Sequence, residues 1–223
     1  MSKPVRSSRP APRPILLTGF EAFAGATVNP TESIVAALNG RVIAGRRVIG
    51  VILPCVFRRS TSVLLRQLRV ERPDVVICLG LAGGRAEITP ERIAINVDDA
   101  RIADNAGGQP VDRPVVRGGP AAYWSTLPIK AMVAELRAHG LPASVSQSAG
   151  TFVCNHVFYG LMHALRRRPV VRGGFVHVPF LPEQAAAGQA SLPLATQIDA
   201  VVRVIEVAAL RRRDRRIGGG ATH

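Results

Sequence analysis

The chain alternates between short unbroken apolar runs and stretches whose apolar residues recur every three to four positions. Residues 14–18, 47–53, 74–79, 92–97 and 174–178 are runs rich in Ile, Leu and Val, the pattern of strands buried on both faces. Between them lie helix signals. Asn29-Pro30-Thr31-Glu32 offers Asn as N-cap, Pro at the first helical position and Glu at the third. Ser60 or Thr61 is expected to cap a helix running to about Val70. Residues 127–139 read as a helix ended by Gly140, and residues 194–213 as a long last helix. Val157, Leu161 and Leu165, with Phe158 and Met162 beside them, have the spacing of a helix with one buried face. Strands alternating with helices predict an α/β fold whose sheet is covered on both faces.

Length and charge refine this picture. The 223 residues fit one domain with a full core, expected over residues 14–210. No apolar run reaches the length of a membrane span, and the basic, proline-rich start lacks an apolar signal core, so no secretion is expected. Three cysteines argue against a disulfide framework and for a reducing cytoplasm. With no CxxC pair and no zinc spacing, a structural metal is not expected. The net charge is +14. Residues 1–13 carry Lys3, Arg6, Arg9 and Arg13 without an acid, and residues 211–216 carry five arginines and Asp214. These ends, 1–13 and 211–223, read as frayed, solvated basic tails. One Trp and two Tyr, with no aromatic–basic interleaving, give no platform for single-stranded nucleic acid. Binding of an anionic polymer by the arginine tails is the alternative from a different class.

The candidate chemistry centres on residues 146–159. Ser, Ala, Gly and Thr form a turn there, and Cys154 follows at the start of a helix. Free backbone N–H groups and the helix dipole favour a thiolate at such a position, so an accessible thiol of lowered pKa, sensitive to alkylation and oxidation, is expected. Cys78, inside an apolar run, reads as inert core, and so does Cys55. Of five histidines, His177 interrupts the apolar run 174–180, where a polar side chain needs a reason. It is the candidate general base. Its orienting carboxylate is Glu91, with Asp98 and Asp99 as alternatives. His156 follows Cys154 by two residues and points elsewhere. Residues 80–85, Gly-Leu-Ala-Gly-Gly-Arg, are a poor match to a dinucleotide loop and read as a tight turn at a strand end.

Three blocks then carry a resemblance. They are residues 80–96 (GLAGGRAEITPERIAIN), residues 145–159 around Cys154, and residues 175–182 (FVHVPFLP). Together with Thr18-Gly19-Phe20-Glu21 and residues 99–105, they resemble the type I pyroglutamyl peptidases, the pyrrolidone carboxyl peptidases. The likeness runs from about Ile15 to about Gln184. It implies a three-layer α/β/α sandwich with a mostly parallel, mixed and twisted sheet, phosphorylase/hydrolase-like. It also implies a cysteine omega-peptidase that removes N-terminal pyroglutamate through a thioester, without a cofactor. The implied triad is Cys154 as nucleophile, His177 as base and acid, and Glu91 orienting the imidazole. Arg101 and the backbone N–H of Cys154 would hold the oxyanion. Phe20, Phe23, Ile102, Phe152 and Val153 match the pocket wall, and Asn29 and Leu81 match positions that bind the lactam through the backbone. The implied partners are pyroglutamyl peptides and copies of the chain itself, in a homotetramer. Leu81 stands where the family often has glutamine, and Ala22 and Ala24 replace a usual proline and glycine. A related amidase for another small lactam or amide is the alternative within this chemistry.

Overall fold

The computed structural model describes residues 12–220; Lys3, Arg6, Arg9 and His223 lie outside them. In chain order the elements are β1 (Ile15–Phe20), α1 (Pro30–Leu38), β2 (Val42–Ile43), β3 (Arg46–Leu53), α2 (Arg59–Glu71), β4 (Val75–Leu81), β5 (Thr89–Pro90), β6 (Ile93–Ile95), β7 (Ala122–Trp124), α3 (Ile129–Ala138), α4 (Val153–Leu165), β8 (Arg172–Val178) and α5 (Leu194–Leu210). Six strands form one sheet in the order β2-β3-β1-β4-β8-β5. The four inner strands are parallel, while the edge strands β2 and β5 are antiparallel to their neighbours. Every residue of β1 is buried, which is why its sequence runs apolar without alternation.

Helices cover both faces. Ile15, Leu17, Ile77, Leu79 and Val176 pack with α1, α3 and α5 on one side. Leu16, Val76, Cys78 and Phe175 pack with α2 and α4 on the other. Successive strand residues point to opposite faces, so the two cores interleave along each strand. Each fully buried Leu, Ile or Phe contributes about 1.5–3 kcal/mol of transfer free energy. Among the described residues no helix is long and apolar enough to cross a membrane.

Local structure departs from the sequence reading in four places. The run 92–97 yields only β6, which pairs with β7 in a separate two-stranded sheet. The main sheet is instead edged by β5, where Pro90, lacking an N–H, is tolerated. The short β2 was not expected; it forms a hairpin through Ala44 and Gly45, both at positive φ. Neither Ser60 nor Thr61 caps α2. The helix begins at Arg59 after Arg58 at φ 60°, and the buried Ser60 hydroxyl has no partner among the described residues. Lastly, α5 ends at Leu210 rather than at 213, and part of the described stretch after it packs back onto the fold. Asp214 accepts hydrogen bonds from the backbone N–H groups of Lys130 and Ala131 at 3.0 and 2.9 Å. It thereby caps α3, whose own N-cap residue, Pro128, offers no side-chain bond. Charge composition could not reveal this, because the basic stretch carries its one useful acid at the right distance from α5.

Candidate active site

The pairing of β1 with β4 stops at Thr18 and Cys78. Beyond that point β1 continues along β3 to Phe20, and β4 continues along β8 to Leu81. The two strands separate, and the β1-facing edge of β4 past Cys78 has no strand partner. This crevice at the carboxyl ends of parallel strands is where open α/β sheets bind ligands.

Cys154 enters it as the second residue of α4 and is half-buried. The N-cap residue Phe152 gives α4 no side-chain hydrogen bond, leaving first-turn N–H groups open to a ligand. Asn155 fixes the helix start: its amide accepts from the Ile95 N–H at 3.0 Å and donates to the Ile95 and Val97 carbonyls at 2.9 and 3.0 Å. Gly80 is the floor beneath the thiol. A Cβ there would lie 2.9 Å from the Cys154 Sγ and 2.7 Å from the Phe175 ring. Only a residue without a side chain leaves that volume to the nucleophile.

Gly80 pairs in register with His177 on β8, so imidazole and thiol converge on one point of the sheet. His177 is buried, and its Nδ1 lies 2.7 Å from Oε1 of the fully buried Glu91. The edge strand positions that carboxylate: Thr89 pairs with His177, and the Glu91 N–H donates to the Phe175 carbonyl at 2.9 Å. Nδ1 therefore carries the proton, and Nε2 is left as the basic nitrogen. Among the described residues the thiol itself makes no hydrogen bond to the imidazole, a gap common in unliganded sites.

Electrostatics separate the roles. Burial pushes the Glu91 carboxyl up, but the hydrogen bond and charge of His177, with Ser146 and Arg85, outweigh it and hold Glu91 below the ordinary carboxylate value. Burial, together with Cys55, Glu91 and Cys78, pushes the Cys154 thiol up, and Arg85 pulls it down. This corrects the expectation of a lowered thiol pKa. In these surroundings a thiolate is formed by handing the proton to a base. Cys55 and Cys78 are both pushed up to about 12, burial being the first cause for each; these inert thiols match the sequence reading.

The alternatives to Glu91 have other work. Asp98 pairs with His156, whose Nδ1 lies 2.9 Å from Oδ2 and whose Nε2 accepts from the Arg58 N–H at 2.9 Å. Asp99 binds through its backbone: its N–H donates to the Thr151 carbonyl and its carbonyl accepts from the Thr151 hydroxyl at 2.7 Å. That clamp carries Arg101 and Ile102 near the turn before Cys154, yet both side chains are exposed. Phe20 is core, 2 % exposed and packed on Phe175. Phe23 and Phe152 face each other with centroids 6.1 Å apart, and Phe57 meets Phe152 edge-on at 5.4 Å. Val153 is buried, and Leu81 is half-buried at the end of β4. Asn29 is buried, and its side chain is spent on capping α1 and on the Glu21 carbonyl. Only its backbone is left for a ligand. Glu21 in turn holds the Phe loop, accepting from the Cys55 N–H and from Asn105. Ala24 sits at φ 53°, a left-handed position that glycine occupies without strain.

Sequence reasoning missed Phe57, the His156–Asp98 pair and the contacts of Arg85. Arg85 lies inside the block 80–96, but nothing in its spacing shows which carboxylate it meets.

The chain is similar to known proteins over most of its length. A family model described as pyroglutamyl peptidase matches residues 13–211. The pyrrolidone-carboxylate peptidase of Klebsiella pneumoniae (strain 342) is 57 % identical over 211 residues, covering 94 % of this chain and 99 % of the relative. That of Bacillus cereus (strain Q1) is 53 % identical, with 94 % and 99 % covered. The crystal structure of pyroglutamyl peptidase I from Bacillus amyloliquefaciens superposes with a TM-score of 0.90 at 46 % identity, covering 93 % of this chain and all of that one. The pyrrolidone carboxyl peptidase of Thermococcus litoralis gives 0.85 at 39 %, with 88 % and 93 % covered. A full-length match in sequence, together with the same sheet and helices in space, establishes that this chain belongs to the pyroglutamyl peptidase family.

Proposed function

We propose that this chain removes the N-terminal pyroglutamyl residue of peptides, with Cys154, His177 and Glu91 as its catalytic triad. The observation that carries the assignment is the buried His177–Glu91 hydrogen bond of 2.7 Å, set on the strand register that also brings Gly80 beneath the Cys154 sulfur.

Nε2 of His177 takes the thiol proton, and the thiolate attacks the carbonyl carbon that joins the lactam residue to the next one. Glu91 holds the imidazole in the required tautomer and stabilises the imidazolium. The oxyanion of the tetrahedral intermediate meets the N–H of Cys154, in the uncapped first turn of α4, and Arg101. The substrate would draw Arg101 in from its exposed loop. One such donor is worth about 3 kcal/mol of barrier. The imidazolium then protonates the leaving amine, the C–N bond breaks, and a thioester remains. His177 next takes a proton from water, the hydroxide displaces sulfur, and pyroglutamate leaves as the thiol is restored.

Pyroglutamate is a small neutral lactam that needs apolar walls and partners for its N–H and C=O. Phe23, Phe152 and Val153 supply walls, Ile102 covers the open side, and Phe20 supports them from the core. The backbones of Asn29 and Leu81 are assigned to the lactam's polar groups, so the replacement of glutamine by Leu81 is tolerated. We take residues 14–210 as the peptidase domain and residues 1–13 and 211–223 as basic extensions. The family likeness and the free cysteines support a cytoplasmic location and a homotetramer as part of this proposal; light scattering of the purified chain tests the second. The activity is tested by hydrolysis of a pyroglutamyl fluorogenic amide by wild type and Cys154→Ser. Cleavage by wild type alone is expected, and equal cleavage by both would overturn the assignment.

A further inference from the structure

Arg85 reaches into the triad from the turn after β4. Its Nη1 donates to the Thr89 hydroxyl at 2.7 Å and to Oε1 of Glu91 at 2.9 Å. Its Nη2 donates to the Ser148 carbonyl at 3.2 Å. Oε1 of Glu91 is thus shared between the imidazole and the guanidinium, while Oε2 has no hydrogen-bond partner among the described residues. The same guanidinium joins the two segments that must stay in register: residues 89–91, which deliver the carboxylate, and the turn before Cys154. Its side chain is about one-third exposed, at 32 %, against 0 % for Glu91.

We infer that Arg85 is a positioning residue of the triad. Its charge sets how strongly Glu91 draws a proton onto His177, and its fork holds the Cys154 turn against the carboxylate. With Glu91 alone, the full charge of a buried carboxylate would bear on the imidazole. Sharing Oε1 with a fixed cation moderates that pull while keeping Glu91 ionised. The cation also favours the thiolate: among the groups facing Cys154, Cys55, Glu91 and Cys78 oppose ionisation and Arg85 supports it. Removing the positive charge therefore acts on both partners in one direction. The full carboxylate charge then bears on the imidazole, and the thiol loses its proton less readily.

The inference rests on the triad assignment above, and its test separates the two. The pH profile of kcat/KM for the pyroglutamyl amide is measured for wild type, Arg85→Gln and Arg85→Lys, with Cys154→Ser as control. Arg85→Gln is expected to lower kcat/KM at pH 7 by about 10- to 100-fold, mostly in kcat. It should also move both limbs of the profile up by about half to one pH unit, at the lower end of shifts from a nearby charge because the site is partly solvated. Arg85→Lys keeps the charge and loses the fork, so its limbs return towards wild type while part of the kcat loss remains. Thr89→Val, which loosens the guanidinium without removing it, moves the limbs the same way by less and serves if Arg85→Gln does not fold. Limbs that stay in place in Arg85→Gln and Thr89→Val, with or without a lower Tm, would overturn the inference and leave Arg85 a brace. Cleavage surviving in Cys154→Ser would remove the triad reading itself.

Discussion

Glu91→Gln isolates the charge of the triad carboxylate. The side chain is fully buried, and glutamine has nearly the same shape, so packing is kept. Both neighbours of Oε1 are donors, His177 at 2.7 Å and Arg85 at 2.9 Å, while Oε2 has no hydrogen-bond partner among the described residues. The amide will therefore place its oxygen at Oε1 and its NH2 at Oε2. The His177 tautomer survives, and only the negative charge is lost. An imidazolium about 4 Å from a carboxylate gains about 4 kcal/mol at an effective dielectric of 20. Arg85 already draws on the same oxygen, which reduces the usable part to about 2–3 kcal/mol, a loss of about 30- to 150-fold in kcat/KM. This is well short of the roughly 10⁴-fold loss seen when a triad histidine is locked in the wrong tautomer. The assay is kcat/KM for a pyroglutamyl fluorogenic amide at pH 7, with urea unfolding beside it. A loss below threefold refutes the electrostatic role of Glu91, and a loss near 10⁴ refutes the orientation argument. Stability gives a second reading. Glu91 is held below its ordinary 4.5, so it contributes stability above that pH and loses it as pH falls through the lower folded value. Glu91→Gln should flatten that part of the acid unfolding curve.

Further outcomes follow from the same geometry. Gly80→Ala puts a methyl group 2.9 Å from the Cys154 Sγ; it should slow both turnover and iodoacetamide labelling of Cys154 by at least about tenfold and cost about 1–3 kcal/mol in urea unfolding. His156→Ala strips the partners of Asp98 and of the Arg58 N–H; it should lower unfolding stability by about 3 kcal/mol, with a smaller fractional effect on KM. Asp214→Ala uncaps α3 and should cost about 1 kcal/mol, seen as a lower urea midpoint with unchanged activity. Cys78 is raised from 9.0 to about 12, so its burial stabilises the fold fully below pH 9 and loses that effect as pH rises towards 12. Cys78→Ala should remove up to about 1.4 kcal/mol per pH unit from the alkaline slope of stability.

Much of this protein was legible in its residues, because the features concerned are local. The apolar runs name the inner strands, since a strand covered on both faces needs no polar alternation. Asn29-Pro30-Thr31-Glu32 names a helix start because capping is settled within four residues, and Asn29 does accept from the Thr31 N–H. His177 stood out as a polar break in an apolar run, and Cys154 as a thiol after a small-residue turn. The resemblance joined them to Glu91 before any distance was known.

Tertiary structure decided whatever depends on residues far apart in sequence. Glu91 was the preferred carboxylate, but the residues alone left Asp98 and Asp99 open. The pairing of β5 with β8 gives Glu91 to His177, and the packing of α4 gives Asp98 to His156. Ser60 was a plausible cap until the chain entered α2 earlier, through Arg58 at φ 60°, which leaves Ser60 inside the helix. Asp214 looked like part of a solvated tail until α5 returned it to the start of α3. The thiol's ionisation could not be read from its helix position, because burial and neighbouring thiols and carboxylate oppose the dipole. A residue's type and its nearest neighbours set the chemistry it can offer, while desolvation, charge pairing and close approach depend on which distant segment folds against it.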